Sequence, residues 1–445
     1  MLYGAWLEDA RIRLRKMLGN LRADVIGDPD LSANPFRALC SAVAALYDHA
    51  PEVTHTSGAE LDVESMRSIL AGAGYWSMMQ RVQRDCIGMR EMLVRVDVSL
   101  DETGQPVAVY RPVPPDMVEC DADNEEPERP VEVRELRRYV VRGTEMWVRE
   151  VWSIADPSAP YHRIYAAESA GGLAVGQDIS EFCGLPESGL TGEAYPARKS
   201  TGAPILPYAV YHASRTGALW DSWEGIEIVE GTLQVSSHWT LYGHFLRHAS
   251  WAQRYVIGAE PAGHDMEGEG TSERRAVPSD ASFVAQLVST GDGQPMVGQW
   301  SVTVDPVAFA ESIGIYERRL AAFAGLDPSD VQRVSGDPRS GYALAISREG
   351  KREAQRRYAP IFKPSDEEIC RITAVLVNVA VGAPVLPESG WKVEYYGLKD
   401  DDNSNEEKDH QPLGYDGLIK LYEAGIITKE QVLAYLAPSF GDDNG

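Results

Sequence analysis

Cysteine is scarce in this chain. There are five in 445 residues, Cys40, Cys86, Cys120, Cys183 and Cys370, and no two stand near enough for a zinc-binding pair. An odd, scattered set excludes a disulfide framework and leaves thiols that act as small apolar side chains. Long apolar runs are missing as well: no stretch reaches the roughly 18 residues that a membrane span needs. The opening "MLYGAWLEDARIRLRKML" has neither the apolar core nor the small-residue cleavage site of a signal peptide, so a cytosol-like site of synthesis is expected. Positive charge is short too, with 42 Lys and Arg against 67 Asp and Glu and a net charge of −25. Phosphate binding needs a basic face, so an ordinary nucleic-acid clamp is excluded.

Catalytic signatures are equally thin. Gly350 and Lys351 are followed by Arg352 and lack the glycine spacing of a phosphate-binding loop. No dinucleotide fingerprint, zinc-deaminase signature or kinase loop set is present, and linear sequence does not show which carboxylates meet in space. His244 and His248 stand four apart on one expected helix face, a spacing that can hold a metal. Between them lie Phe245, Leu246 and Arg247, without the glutamate of the zinc-protease motif. A pair of helix-surface histidines is one reading, and a metal-dependent hydrolase is the alternative function. Otherwise the sequence points to no enzyme, no cofactor and no resident metal.

What is present is a 44% hydrophobic, 24% charged composition, that of a globular protein with room for about two to four core-bearing units. The first 90 or so residues read as helical, with "SANP" starting an apolar helix that runs to Pro51. Then the period changes to two: Val94, Val96, Val98 and Leu100 alternate with polar residues, "DETGQ" turns the chain and "PVAVYRPV" returns it. A second hairpin is expected around "RGTE", and "ILPYAVYHAS" reads as a further strand. Residues 155–204 read as an irregular connection. The first half is therefore expected to be an α+β domain.

Helix is expected again over 220–255, followed by a small β-containing insert over 257–304. The strongest helix signal is "DPVAFAESIGIYERRLAAFAG", with Asp305 as N-cap, Pro306 at the first position and Gly325 as the stop. Phe309, Ile313, Tyr316, Leu320 and Phe323 recur at spacings of 4, 3, 4 and 3, a narrow packing seam. Gly314 interrupts that rod at a cost of about 1 kcal/mol relative to Ala. After a loop over 326–341 comes a helix from about Tyr342 whose Arg348, Arg352 and Arg356 share a stripe beside Lys351. Pro360 and Pro364 are expected to interrupt it, with Ser365 and Glu368 forming a capping box for its restart. "GWKVEYYGL" reads as a strand, "KDDDNSNEEKD" as an acidic linker and "GYDGLIKLYEAGIITKEQVLAYL" as a closing pair of short helices.

Four stretches in this order carry a family resemblance: "SANPFRALCSAVAALY", "LPYAVYHASRTGALWDSWEGIEIVEGTLQVSSHWTLYGHF", "YERRLAAFAGLDPSDVQRVSGDPRSGYALAISREGKREAQRRYAPIF" and "LIKLYEAGIITKEQVLAYL". The arrangement resembles the portal protein of tailed bacteriophages. It implies a wing from residues 1–235 and 346–398, a stem from 236–256 and 305–324, and a clip from 257–304. It also implies a tunnel loop over 325–345, continuing into a long kinked helix, and a short helical crown over 399–445. The assembled form would be a ring, usually a dodecamer, at one vertex of the virion capsid, built in the host cytoplasm. Double-stranded DNA would pass through it without sequence readout during packaging and ejection. Terminase large subunit, head–tail adaptor proteins and the major capsid protein would be partners, with a scaffolding protein as a further candidate and no membrane.

On that resemblance the sparse cations acquire a reason. DNA must slide, and a strongly cationic lining would hold it through counterion release, whereas acidic walls centre it. A few Arg and Lys side chains can touch phosphates briefly without reading bases. Arg333, Arg339, Arg348, Lys351 and Arg352 are the expected channel residues, with pairing to acidic groups of a neighbouring subunit as the competing role. The seam of Phe309, Ile313, Tyr316, Leu320 and Phe323 is expected in the stem, packing within one subunit or between neighbours.

Overall fold

Period-two patterning between residues 91 and 166 produces two antiparallel sheets. The computed structural model describes residues 6–141, 143–167, 176–220, 226–250, 253–257, 259–261, 287–289, 296–300, 305–323 and 341–396. Helices α1 (Leu7–Leu18), α2 (Asn20–Ile26) and α3 (Pro35–Val43) come first, then β1 (Glu52–His55), α4 (Glu60–Gly72) and α5 (Tyr75–Met89). Strand β2 (Glu91–Leu100) lies between β3 (Pro106–Val113) and β9 (Tyr208–His212). The second sheet follows chain order: β4 (Val118–Ala122), β5 (Pro130–Val141), β6 (Thr144–Ser153), β7 (Tyr161–Ala166) and β8 (Leu190–Thr191). Both expected hairpins form, with Leu100 opposite Pro106 and Val141 opposite Thr144. Gly143 adopts φ +80° in the second turn, a conformation glycine reaches without strain.

The later elements are α6 (Ile226–Ser250), strands β10 (Gln253–Ile257), β11 (Ala259–Pro261), β12 (Leu287–Ser289) and β13 (Met296–Trp300), helices α7 (Pro306–Phe323) and α8 (Gly341–Val381), and β14 (Trp391–Glu394). The described chain is thus mixed α+β. Residues 253–255, the end of the helical reading, belong instead to strand β10: Tyr255, Val256 and Ile257 favour a pleated backbone and pair with β13. Strand β14 pairs antiparallel with β1, an element that the sequence reading had passed over.

Helix α8 is the spine of the body. It packs on β2, β9 and β14, and Phe362, Ile369, Ile372 and Val375 are fully buried along it. It also runs unbroken through Pro360 and Pro364, where an interruption was expected. Each proline removes a helix hydrogen bond at a cost of about 3 kcal/mol. The contacts around the prolines offset that cost. Ser365, expected as an N-cap, instead donates its hydroxyl to the Val210 carbonyl of β9 at 2.6 Å. Glu368 turns away from any capping role and pairs with Arg371.

Two residues past Pro364 sits Asp366, wholly buried. Its Oδ1 accepts hydrogen bonds from the hydroxyls of Tyr75 (3.0 Å) and Tyr211 (2.7 Å). Its Oδ2 accepts from Tyr47 (2.8 Å) and Tyr395 (2.6 Å). Four phenols from four separate parts of the chain thereby fasten α8 to α5, β9, the segment after α3 and the end of β14. The segment after α3 owes its shape to side-chain amides: α3 stops at Val43, short of the expected Pro51. The Leu46 N–H then donates to Gln83, while Gln355 and Gln80 donate to the carbonyls of Ala45 and Tyr47.

A second buried polar cluster joins the two sheets. Arg95 of β2 meets Glu150 of β6 at 2.7 Å and Glu135 of β5 at 3.2 Å. Arg137 reaches Glu150 at 2.8 Å, His162 of β7 meets the same carboxylate at 2.7 Å, and Tyr208 of β9 donates to Glu135 at 2.8 Å. Burial pushes the Glu150 carboxyl up, but His162, Arg95 and Arg137 together hold it well below the usual carboxylate range. Removing one partner from such a cluster leaves a buried charge uncompensated, which typically costs 3–5 kcal/mol.

Burial raises Asp366 from its ordinary 3.8 to about 6, against the lowering effect of its tyrosine donors. Between about pH 4 and pH 6 the folded chain therefore holds a proton that the unfolded chain has released, and this group's contribution to stability falls as pH rises through that window. Denaturant unfolding should show that slope in the native protein and not in Asp366→Asn. Asp366→Ala is expected to cost about 3–5 kcal/mol at neutral pH by stranding buried phenols, and Tyr395→Phe about 1 kcal/mol.

Candidate functional site

Helices α6 and α7 form an antiparallel pair. Along α6 from Gly231 to Phe245 the partners on α7 run backwards from Leu320 to Phe309. Asp305 caps α7 as its sequence suggests, its Oδ1 accepting from the Val307 N–H at 2.8 Å, and the helix passes through Gly314 without a break. Phe309 stacks on Tyr242 with ring centres 5.8 Å apart and meets Phe245 edge-on at 6.5 Å. Tyr316 lies edge-on to His238 at 5.8 Å, while Ile313 and Leu320 are buried. Glu317, between them, accepts from the Trp239 indole N–H at 3.1 Å. Phe323 does not share this seam. It is 57% exposed, with the Arg319 guanidinium 5.5 Å from its ring.

Gly231 marks the closest approach of the pair. A Cβ there would collide with Leu320 Cδ2 and stand 3.1 and 3.2 Å from its Cδ1 and Cγ. The absence of a side chain lets α7 lie directly on the α6 backbone.

The lower half of α6 is anchored through small hydroxyl residues that the sequence reading did not single out. Thr232 Oγ1 accepts from the Phe36 N–H at 3.0 Å, and Thr240 Oγ1 accepts from the Asp30 N–H at 2.7 Å. Ser236 donates to the Asp30 carbonyl at 2.5 Å. Their spacing of four in "GTLQVSSHWT" was the available signal, since hydroxyls on one helix stripe admit close backbone neighbours. Arg13 of α1 grips the same helix, meeting Glu230 at 2.9 Å and Gln234 at 3.0 Å. Burial decreases beyond Thr240 on α6 and before Ile313 on α7. The pair therefore stands out from the body as an arm. Its two helices are joined through antiparallel strands, β10 with β13 and β11 with β12.

The expected cations are divided by the structure. Arg333 and Arg339 lie outside the described residues, as does most of the loop to which they belong. Arg348 and Lys351 fall on the opening turns of α8, which begins at Gly341, one residue before the start near Tyr342 read from the sequence. Arg352 follows one turn after Arg348 and is exposed, as are Arg356 and Arg357. Ala354 and Tyr358 turn inward, so this part of α8 presents its cations on its outer side. The segment 399–445 also lies outside the described residues.

The histidine pair gains no support as a metal centre. His244 is half-buried on α6, and among the described residues no cluster of three or more His, Cys, Asp or Glu side chains could hold a metal. Nor is any helix among them long and apolar enough to cross a membrane.

Relatives add little. No protein-family model matches the chain, and no curated protein matches it. A solved structure described as the virion of a native gene transfer agent particle aligns with 98% of this chain and 91% of its own, at 13% identity and a TM-score of 0.38. A likeness that loose fixes neither fold nor family.

The close approach at Gly231 can be tested directly. Gly231→Val should destabilise the protein by about 1–3 kcal/mol through overpacking. Leu320→Ala should cost about 2–5 kcal/mol through the cavity it opens. In the double variant the added side chain enters the vacated space, so chemical denaturation should give a smaller loss than the sum of the two.

Proposed function

We propose that this chain is the portal subunit of a tailed-phage-like particle: a ring at one capsid vertex through which double-stranded DNA is packaged and ejected. The observation that carries the reading is the order of parts. An α+β body sends out an antiparallel two-helix arm interrupted by short strands, then continues into a 41-residue helix that opens with cations and returns through the body's core. In this reading the body is the wing, the α6–α7 arm the stem and the strand-bearing insert the clip. The chain from 325 into the start of α8 is the tunnel loop, and 399–445 is the crown.

The charge balance suits that duty. A net −25 per copy, repeated around a ring, repels a duplex from every side and keeps it central. Sparse cations at the opening of α8 give brief phosphate contacts whose loss costs little, so the duplex keeps moving. The chain does no chemistry of its own in this reading. Terminase would supply the ATPase while docked on the strand-bearing tip, and head–tail adaptors would take its place after packaging.

Light scattering of the purified protein is expected to give about twelve times the chain mass of 48.9 kDa, with negative-stain images showing open-centred rings. Particles of a single chain's mass under every assembly condition, and no ring at the vertex of a phage head, would overturn the reading. Replacing Arg348, Lys351 and Arg352 together by Ala should leave ring mass unchanged and reduce the length of DNA packaged. Loss of the ring instead would assign these cations to contacts between subunits.

A further inference from the structure

The cage around Asp366 contains one more close pair of oxygens than it has phenolic protons. Tyr47 and Tyr395 donate to Oδ2 at 2.8 and 2.6 Å. On the other side Tyr75 and Tyr211 reach Oδ1 at 3.0 and 2.7 Å, and their own hydroxyl oxygens lie 2.7 Å from each other. Oδ1 and these two phenols form a closed triangle whose every edge is a hydrogen-bond length. With Asp366 charged, the protons of Tyr75 and Tyr211 can serve only two of its three edges. The remaining edge is then two oxygens facing each other through lone pairs. All five side chains are buried, and the low local dielectric makes such an edge costly. A proton on Oδ1 completes the triangle: the carboxyl donates to one phenol, that phenol to the other, and the second back to Oδ1.

The neighbouring titratable groups are engaged elsewhere or stay neutral. Burial pushes up the thiol of Cys370, one turn along α8, and Glu367 faces Lys392 at 3.6 Å. His212, next to Tyr211 on β9, turns to Glu91, and the Tyr110 hydroxyl of β3 meets that of Thr373 at 3.0 Å. Burial and the adjacent carboxylate both raise the four cage phenols, which therefore keep their protons.

We propose that the folded protein binds a proton in this triangle, and that its release to solvent as the pH rises forces Tyr75 and Tyr211 apart. Their separation loosens β9 from α5. It also loosens β9 from α8, because the residue before Tyr211 is Val210, whose carbonyl holds Ser365. The rise of the Asp366 carboxyl to about 6 brings the change close to neutral pH. Neither step depends on ring assembly.

Infrared difference spectra of the full chain between about pH 5 and about pH 8 should show the carbonyl band of a buried neutral carboxylic acid, missing in Asp366→Asn. Two further substitutions separate the triangle from an ordinary set of donors. Tyr395→Phe removes a donor to the charged form, so the midpoint of the band should rise by about one pH unit. Tyr75→Phe takes one hydrogen bond from the charged form and two from the neutral form, so the midpoint should fall by about one pH unit. Amide hydrogen exchange in β9 and around Ser365, compared at equal intrinsic rate, should quicken across the native midpoint and show no such step in Asp366→Asn. A Tyr75→Phe midpoint that rises as in Tyr395→Phe overturns the triangle, as does a native protein without the neutral-acid band. Exchange that stays level across the midpoint overturns the switch. Where a variant fails to fold, carboxyl carbon-13 labelling of aspartate reads the same titration in the native chain, and its absence near neutral pH overturns the proposal.

Discussion

A wholly buried carboxylate governs how this protein is built. Asp366 cannot be left charged in an apolar interior without donors, and the chain supplies four phenols from positions up to about 300 residues away. Each must be brought to one point, which fixes α5, β9, the turn after α3 and the end of β14 relative to α8. The same tie carries α8 past two prolines that would end a helix in isolation. Buried polar networks of this kind add little net stability over an apolar core, but they demand one arrangement.

The Arg95 cluster plays the corresponding role between the sheets. Hydrophobic contact alone would let β2 and β5 slide, because one aliphatic face fits another in several registers. An arginine shared by Glu135 and Glu150, with His162 and Tyr208 closing the remaining sites, admits one register. The arm depends on both clusters indirectly, since the body on which it stands is the assembly that they hold.

Local order was legible in the sequence where local physics decides it. Alternation revealed the β2–β3 and β5–β6 hairpins, Asp305 and Pro306 marked the start of α7, and the 4-3-4-3 spacing found the seam up to Leu320. Reading failed where distant residues override propensity. Pro360 and Pro364 looked like breaks because the anchors that carry the helix through them come from β9 and β14. Ser365 looked like a cap because its true acceptor, the Val210 carbonyl, is remote in sequence. The tyrosine cage had no linear signature at all: Tyr47, Tyr75, Tyr211 and Tyr395 share nothing until folded. Of the expected site, only the positions of Arg348, Lys351 and Arg352 on one helix were open to local reading. The hydroxyl stripe of α6 was written in the same code and passed unread because serine and threonine resemble surface filler.

The anchoring of α6 has a mechanical corollary. Its hydrogen bonds to α1, to Asp30 and to α3 all lie between Glu230 and Thr240, and the helix continues about another 15 Å beyond them. Any push at the far end therefore arrives at the root as torque, with the Gly231–Leu320 contact as fulcrum and the hydroxyl stripe as hinge pin. A partner docking on the strands could in this way tilt the arm as a stiff lever, leaving its own packing undisturbed.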